Sequence, residues 1–292
     1  MEKKVTLLDK GSKKHPLYGG QKIFFGTQHE KEKILAPVFR DLEIEIHGAL
    51  INTDQFGTFS GEIPRPGGVR ETLRRKIQET LKTYPQAELV LASEGSFGPH
   101  PYLPFAQSNH EALLFFDKRL QQEVYVEEVT PDTNHSEIEL TSVEALEAWL
   151  EQICFPSHGI ILRNPLEPAQ IRKGLTTRTD LESALQDFKL SSSRLILMTD
   201  MRAHLNPKRQ KAIEKVGLKL REALLSQCPR CQTPGFVITR GQPGLVCSDC
   251  GSETNLIKQV ELECRHCGYL ESRPRPDGLQ AADPAECPFC NP

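Results

Sequence analysis

Cysteine spacing constrains this chain more than any other feature. Eight of its nine cysteines form four Cys-x-x-Cys pairs within the last 65 residues. The pairs are Cys228/Cys231, Cys247/Cys250, Cys264/Cys267 and Cys287/Cys290, separated by spacers of 15, 13 and 19 residues. Two residues between thiolates allow a tight turn to aim both sulfur atoms at one metal ion, and a second such turn completes a tetrahedron. The sequence therefore predicts two four-cysteine metal sites.

The spacing also indicates how the pairs share two ions. We expect one ion on Cys228, Cys231, Cys247 and Cys250, and a second on Cys264, Cys267, Cys287 and Cys290. An interleaved arrangement, in which the first pair joins the third and the second joins the fourth, is the alternative. Zinc is the expected structural cofactor at both sites, because thiols in a reducing compartment bind metal rather than form disulfides. A tail this short also has too little apolar content to fold without such support.

Composition bounds the rest of the chain. The 292 residues, 38% of them hydrophobic, can bury one substantial core and carry a small appendage. The net charge is -3 and the sequence pI is about 6.3, so no broad attraction to nucleic acid or anionic membranes is expected. The N-terminal region lacks a long apolar run and a small-residue cleavage site, and no segment approaches about 20 apolar residues. We expect a cytoplasmic protein that does not associate with membranes.

Strand and helix patterns alternate through residues 22 to 225. Apolar or alternating runs predict strands at 22–26, 42–50, 88–92, 112–116, 123–129, 136–140, 159–163 and 194–198. Helix signals stand between them, as an apolar stripe over 69–81, capping boxes at Thr141 and Thr179, and Asn206 preceding Pro207. This pattern predicts an α/β fold with a mixed, largely parallel sheet and helices on both faces. The predicted boundaries are a loosely ordered extension at 1–20, the α/β domain at 21–225 and a zinc-ribbon-like domain at 226–292.

Polar residues collect directly after the predicted strands. In an open α/β sheet, ligands bind outside the carboxyl ends of the strands, so we expect these side chains to line one cleft. Glu94 and Asp200 are candidate metal ligands or general base, which implies magnesium or manganese in addition to zinc. The further candidates are His29, His100 and His204 for acid/base or phosphate contacts, Arg202 as an anion clamp, and Thr27, Lys31, Asp54 and Ser96 for substrate binding. A structural interpretation exists for each, such as Asp200 as a helix N-terminal charge.

Several motifs carry a family resemblance. They are GTQHEKEK at 26–33, TDQFGTFSGE at 53–62, SEGSFGPHP at 93–101, NHE at 109–111, TDMRAHLNP at 199–207 and RPRPDGL at 273–279. Together they resemble an uncharacterised bacterial family, known as a domain of unknown function, that carries a cysteine-rich tail. The resemblance covers nearly the whole chain after residue 20 and implies no activity.

A more distant similarity concerns the order of elements in the first half. This order resembles that of the inosine-triphosphate-pyrophosphatase-like hydrolases. It runs from a strand, a polar loop and a helix to a second strand, a Gly-rich loop, a second helix, a third strand and an acidic Gly-Ser turn. By that resemblance Thr27 and Lys31 or Lys33 would grip a triphosphate, while Glu71 and Glu94 would hold magnesium. The glycine and asparagine of that family's loop are replaced here.

Two functions follow from the sequence. The first is a metal-assisted hydrolase acting on a phosphorylated small molecule or nucleotide. The second is a non-enzymatic scaffold whose zinc ribbons recognise a partner protein or nucleic acid. Residues 226–292 contain six basic and eight acidic residues, a net charge of -2, whereas a module that follows a phosphate backbone is basic. We therefore favour the hydrolase, with a small phosphorylated ligand and no nucleic acid as partner.

Overall fold

The computed structural model describes residues 14–56, 67–101, 103, 105–167, 169–189 and 194–292, without the side chains of Asp54 and Lys189. The chain divides into two compact units. Unit 1 comprises the chain up to Phe116 and Tyr125–Leu220, whereas unit 2 comprises Asp117–Val124 and Arg221–Pro292. The tail predicted at 226–292 thus lies within unit 2.

The first sheet of the chain has five strands in the order β2-β1-β3-β4-β5. These strands are β1 (Lys22–Thr27), β2 (Glu45–Leu50), β3 (Leu89–Pro99), β4 (Gln107–Asp117) and β5 (Gln122–Thr130). Helix α1 (Lys31–Phe39) connects β1 to β2, and α2 (Val69–Thr83) precedes β3. Strand β1 pairs in parallel with both β2 and β3.

This strand order creates a topological switch point. From β1 the chain passes through α1 to one side of the sheet and then through α2 to β3 on the other side. The carboxyl ends of β1 and β3 therefore flank a crevice, which is where open α/β sheets bind ligands. The pairing of β1 with β3 ends at Gly26 opposite Ala92, and β3 continues for seven residues to Pro99. The side chains that follow Ala92 thus lie just beyond the end of β1.

The second sheet of unit 1 has the order β6-β9-β7-β8. Its elements are β6 (Glu137–Glu139), β7 (Ile160–Arg163), β8 (Ile171–Leu175) and β9 (Ile196–Thr199), with α3 (Val143–Gln152) and α4 (Arg178–Lys189) between them. Trp149 of α3 and Leu181 and Phe188 of α4 pack in one apolar core with Ile160 and Leu197 of the sheet. Helix α5 (Pro207–Leu225) follows, with Asn206 accepting a hydrogen bond from the backbone N–H of Arg209 at 3.0 Å.

Unit 2 contains a three-stranded antiparallel sheet in the order β10-β11-β12. Its strands are β10 (Val237–Pro243), β11 (Ile257–Glu263) and β12 (Leu270–Pro274). Phe236, Val260 and Leu262 form a small apolar cluster with Cys228 and Cys264. So little apolar surface explains why this unit needs another source of stability.

The predicted mixed α/β class is confirmed, with detail that the sequence pattern did not give. Parallel pairing is found at β1 with β2 and β3, whereas the pairs β6–β9, β9–β7 and β7–β8 of the second sheet are antiparallel. The predicted caps are displaced, since Ser142 rather than Thr141 caps α3 and Thr177 rather than Thr179 accepts from the first turn of α4. Both predictions failed because a neighbouring residue with a hydroxyl group stands immediately before the helix and accepts the hydrogen bond from its first turn.

The structure describes residues 14–20 of the segment that was expected to be a loose extension, and two of their side chains are buried. Residues 1–13 of this predicted extension lie outside the described residues. Tyr18 is buried, and its ring meets that of Phe115 edge-on at 5.2 Å between centroids. His15 Nδ1 accepts hydrogen bonds from two backbone N–H groups in the same turn. No helix in the described part of the chain is both long and apolar enough to cross a membrane.

Candidate functional site

Two clusters of four cysteines lie in unit 2. Cys228, Cys231, Cys264 and Cys267 form the first, and Cys247, Cys250, Cys287 and Cys290 form the second. Within each cluster the four sulfur atoms lie within 4.8 Å of one another. The pairing is therefore interleaved, the first pair with the third and the second with the fourth. The expected assignment of the pairs in sequence order is wrong.

The register of the β-sheet explains the interleaved pairing. Val237, at the start of β10, lies opposite Glu263, at the end of β11. The chain segments that carry the first and third cysteine pairs therefore meet at this end of the sheet. Pro243 lies opposite Ile257 at the other end, where the second pair is carried by the connection from β10 to β11. A bridge between Cys247 and Ala282 brings the fourth pair to the same end.

The sulfur geometry fits a tetrahedral ion. A tetrahedron with metal–sulfur bonds of about 2.3 Å has edges of about 3.8 Å. The Sγ–Sγ distance is 3.7 Å between Cys228 and Cys267 and 3.5 Å between Cys231 and Cys264. In the second cluster the corresponding distances are 3.8 and 3.7 Å. Both clusters can therefore hold one metal ion each, with four thiolate ligands and no open position, as in structural rather than catalytic sites.

A different set of polar side chains meets in unit 1 at the switch point. Lys31, the first residue of α1, donates a hydrogen bond from Nζ to Ser93 Oγ at 2.9 Å. Lys76 of α2 donates to the backbone carbonyl of Ser93 at 3.0 Å and to the Glu94 carboxylate. All four residues are buried. Because successive side chains of a strand point to opposite faces, the two lysines reach β3 from opposite sides of the sheet.

A buried ion pair borders this cluster. Arg209 of α5 donates from Nε to Glu111 Oε1 of β4 at 2.7 Å, and from Nη1 to the carbonyl of Met201. Gly95 of β3 lies against this pair, so that a Cβ there would sit 2.8 Å from Glu111 Oε1 and would clash with the guanidinium. Only glycine fits at this position without displacing the ion pair. The close approach of β3 explains one glycine of the SEGSFG segment.

The titration of Lys31 and His29 reflects the same environment. Burial lowers the pKa of Lys31 to about 7, and the nearby positive charge of Arg209 contributes in the same direction. Burial, followed by the charge of Lys31, lowers the pKa of His29 to about 4. His29 is therefore neutral near pH 7, while Lys31 exchanges its proton close to that pH.

The two histidines His29 and His204 face each other, with ring centroids 5.7 Å apart. Burial, followed by the charge of Arg202, lowers the pKa of His204. His204 also borders a groove of about 530 Å³ between α1 and the start of α5. The groove is lined by Glu30, Lys33, Ile34, Pro37, His204, Pro207, Gln210, Lys211 and Glu214. A groove of this size lies within the range of small-molecule sites, about 300–1,000 Å³.

Asp200 occupies a separate, fully satisfied position. Its carboxylate accepts from Arg202 Nε at 3.0 Å and from the backbone N–H of Arg202 at 3.0 Å. It also accepts from the backbone N–H of Gly174 at 3.1 Å. Asp200 is completely buried. These hydrogen bonds connect the end of β9 to β8. They explain the buried Asp200 carboxylate as a structural group that needs no bound ligand.

The remaining predicted residues are spread around the cluster. Thr27 is buried and accepts a hydrogen bond from the backbone N–H of His29 at 3.4 Å. Ser96 is half-buried farther along β3, and His100 lies in the connection to β4, where its backbone N–H bonds to Ala106. The Asp54 side chain lies outside the described residues. The structure thus brings His29, Lys31 and His204 towards one region.

No group of three metal-ligating side chains meets in unit 1 among its described residues. Glu94 pairs with Lys76, and Asp200 with Arg202, so each predicted metal ligand already has a cation. The donor set therefore does not fit magnesium or manganese.

Sequence reasoning missed four residues of the cluster. Ser93, Glu111 and Arg209 stand inside or beside the polar motifs, but no sequence signal distinguishes them from their polar neighbours. Lys76 offered a clearer signal, because it follows Leu73 by three residues and so lies on the buried face of α2. A lysine on an apolar face indicates a buried cation that needs a partner.

Comparison with known proteins gives a family but no activity. No curated protein matches the sequence. Among solved structures, protein VC0702 from Vibrio cholerae is similar, with 12% sequence identity over 68% of this chain and 90% of that one. Its TM-score of 0.31 does not establish a common fold. A model of the domain of unknown function DUF6671 matches residues 78–292, which include β4, the second sheet and both cysteine clusters. The chain therefore belongs to the DUF6671 family.

Proposed function

We propose that unit 1 binds and hydrolyses a phosphorylated small molecule, with nucleotides as the substrate class. The observation that carries this proposal is the convergence of Lys31 and Lys76 on Ser93 at the switch point. Ligands of open α/β sheets bind at such a point, and the phosphate group is the anion most often held there.

The balance of charge around Lys31 favours an anionic ligand. Lys76 and Arg209 each have a carboxylate partner, Glu94 and Glu111. Within the described chain, the Lys31 amine has one hydrogen-bond partner, Ser93 Oγ, and forms no ion pair with a carboxylate. A phosphate oxygen would supply the missing negative charge in a site with low solvent access, where charge-assisted hydrogen bonds are strongest.

The start of α1 supports the same conclusion. Lys31 is the first residue of this helix, and the preceding Glu30 places no side-chain acceptor on the backbone N–H groups of the first turn. The positive end of the helix dipole and these N–H groups favour an anion. The remainder of the ligand would occupy the groove beside His204, which presents both basic and acidic side chains.

The proposal assigns no divalent metal to unit 1. In phosphoryl transfer the negative charge that develops on the phosphate oxygens must be stabilised by metal ions or by cationic side chains. Arg209 lies against Gly95, two residues along β3 from Ser93 and so on the same face as the Ser93 side chain, and it is a buried cation that can supply this stabilisation. His29 is neutral near pH 7 and can act as a hydrogen-bond donor or a proton acceptor.

For unit 2 we propose that zinc is the ion of both cysteine clusters, with a structural role. Four thiolate ligands in a closed tetrahedron are typical of zinc in proteins. The net charge of residues 226–292 is -2, so the alternative scaffold function would require a protein partner rather than nucleic acid.

Calorimetric titration with inorganic pyrophosphate and with nucleoside triphosphates tests the proposal, together with an assay of phosphate release. Wild-type protein should bind with a dissociation constant in the micromolar range or below. Lys31→Met should weaken binding at least tenfold, since it removes a buried amine that has no carboxylate partner when it is protonated. Lys82→Met is the matched control, because Lys82 lies exposed at the end of α2 and pairs with Glu79 on the helix surface. Absence of binding at millimolar ligand would refute the proposed substrate class.

A further inference from the structure

Ser93 has an environment unlike that of an ordinary buried serine. Its hydroxyl lies 2.9 Å from the amine of Lys31, and its carbonyl accepts from Lys76 at 3.0 Å. Ser108, a buried serine on the neighbouring strand β4, instead has its hydroxyl 3.3 Å from the carbonyl of Gly98. A buried serine normally satisfies its hydroxyl on a backbone carbonyl, as Ser108 does, and a lysine is rarely buried for that purpose.

We propose that Ser93 is the nucleophile of unit 1 and Lys31 its general base, so that phosphoryl transfer passes through a covalent phosphoserine. A nucleophile and a base within hydrogen-bond reach are the geometric signature of covalent catalysis, and a serine–lysine pair is one of its known forms. The substrate class in this statement rests on the function proposed above, whereas the nucleophile and base rest on the Ser93–Lys31 contact.

The phosphoryl group is transferred in two steps, first to Ser93 and then to water. The neutral Lys31 amine takes the proton of the Ser93 hydroxyl while Oγ forms a bond to phosphorus. The bond from phosphorus to the leaving oxygen breaks, and that oxygen takes the proton from the Lys31 ammonium. In the second step Lys31 takes a proton from water, the water oxygen bonds to phosphorus, and Ser93 Oγ leaves and recovers the proton. The net reaction consumes one water molecule and releases phosphate and the protonated leaving group, which is an alcohol from a phosphate ester and a nucleoside diphosphate from a nucleoside triphosphate.

Buried charges around Lys31 set the pH at which it can act. Arg209 of α5 and Lys76 of α2 oppose the charged form of Lys31, whereas Glu111 of β4 and Glu94 of β3 favour it. Burial is the largest effect, and the resulting pKa of about 7 leaves much of Lys31 neutral at physiological pH. A base of this pKa is suited to proton transfer near neutrality.

Labelling with diisopropyl fluorophosphate tests the nucleophile without knowledge of the substrate. Attack by Ser93 Oγ forms the oxygen–phosphorus bond, releases fluoride and leaves a stable adduct that peptide mass spectrometry can locate. We expect labelling of wild-type protein at Ser93, none of Ser93→Ala at that peptide, and wild-type labelling of Ser108→Ala. Lys31→Met should slow labelling about 100-fold or more, the usual contribution of a general base. The wild-type rate should rise with pH through about 7.

The outcomes separate this inference from the proposed function. Circular dichroism and thermal melts of each variant show whether it is folded, and the wild-type result alone decides the location of the adduct. An unlabelled Ser93 in folded wild-type protein, or a rate independent of Lys31, overturns the inference. If pyrophosphate still binds in that case, the proposed function stands without the covalent step. Labelling of Ser93 without pyrophosphate binding would support the nucleophile and refute the phosphorylated substrate.

Discussion

The interleaved cysteine pairing makes a prediction that two double variants can decide. Cys231 and Cys264 belong to the same cluster in the structure, whereas an assignment in sequence order would place them in different sites. For Cys231 and Cys250 the situation is reversed. Cys231→Ala/Cys264→Ala should therefore retain one zinc ion per chain, and Cys231→Ala/Cys250→Ala should retain none that resists a competing chelator. Assignment in sequence order predicts the opposite result for both variants.

The effect on stability follows from the same geometry. Cys231 and Cys264 lie 3.5 Å apart, on one edge of the first tetrahedron, so their removal leaves the second cluster intact. An ion present at a thousandfold excess over its dissociation constant stabilises the fold by about 4 kcal/mol. Because 1 kcal/mol shifts the melting temperature of a domain of this size by about 4–8 °C, losing one ion should lower the melting temperature of unit 2 by about 15 °C or more.

The assay is zinc analysis of protein purified with a mild chelator, combined with thermal unfolding followed by a probe in unit 2. Wild-type protein should carry two ions per chain. A variant lacking Cys231 and Cys264 that contained no zinc, beside one lacking Cys231 and Cys250 that contained one, would refute the interleaved pairing and the β-sheet register that explains it.

Three further predictions concern unit 1. Gly95→Ala should destabilise by about 1–3 kcal/mol in urea unfolding, because the added Cβ meets a buried ion pair, whereas Gly98→Ala, with no atom within 4 Å of its Cβ, should change stability by less than about 0.5 kcal/mol. Lys76→Met should lower the free energy of unfolding by about 3–5 kcal/mol, because it leaves the buried Glu94 carboxylate without its partner. Adding Glu94→Gln should restore part of this stability, since a neutral amide costs less to bury than a carboxylate. A double variant no more stable than Lys76→Met would contradict the ion pair. The free energy of unfolding of wild-type protein should fall as the pH is lowered from 6.5 to about 4, because His29 takes up its proton at a higher pH in the unfolded chain than in the folded one. His29→Gln should flatten this part of the curve of stability against pH, and a curve that the substitution leaves unchanged would exclude the lowered pKa.

Local sequence patterns predicted most elements because their signals are local. The apolar run at 22–26 became β1, and the stripe from Val69 to Leu81 became α2. Asn206 and Pro207 marked the start of α5 correctly. Strand β3 extends seven residues beyond its predicted end at Ala92, because pairing with β4 supports polar residues that have no strand signal of their own.

The candidate site was predicted in part. The rule that ligands gather at the carboxyl ends of strands led to Lys31 and Glu94, both of which lie at the switch point. It could not show that Glu94 is paired with Lys76, or that Asp200 is paired with Arg202. The order of residues in the sequence shows which side chains are polar but not which charges neutralise one another, and only the tertiary structure shows those pairs.

The sequence by itself determined that unit 2 has two four-cysteine sites, because two residues between thiolates fix each pair locally as half of a site. Only the tertiary structure decided which halves combine. The antiparallel register of β10 and β11 brings the first and third pairs to one end of the sheet, and the second pair is held at the other. Likewise, local composition determined an α/β unit with polar strand ends, whereas the crossing of α1 and α2 to opposite faces decided that two lysines meet at Ser93. In both units the deciding contacts join residues distant in sequence, and spacing along the chain carries no information about such contacts.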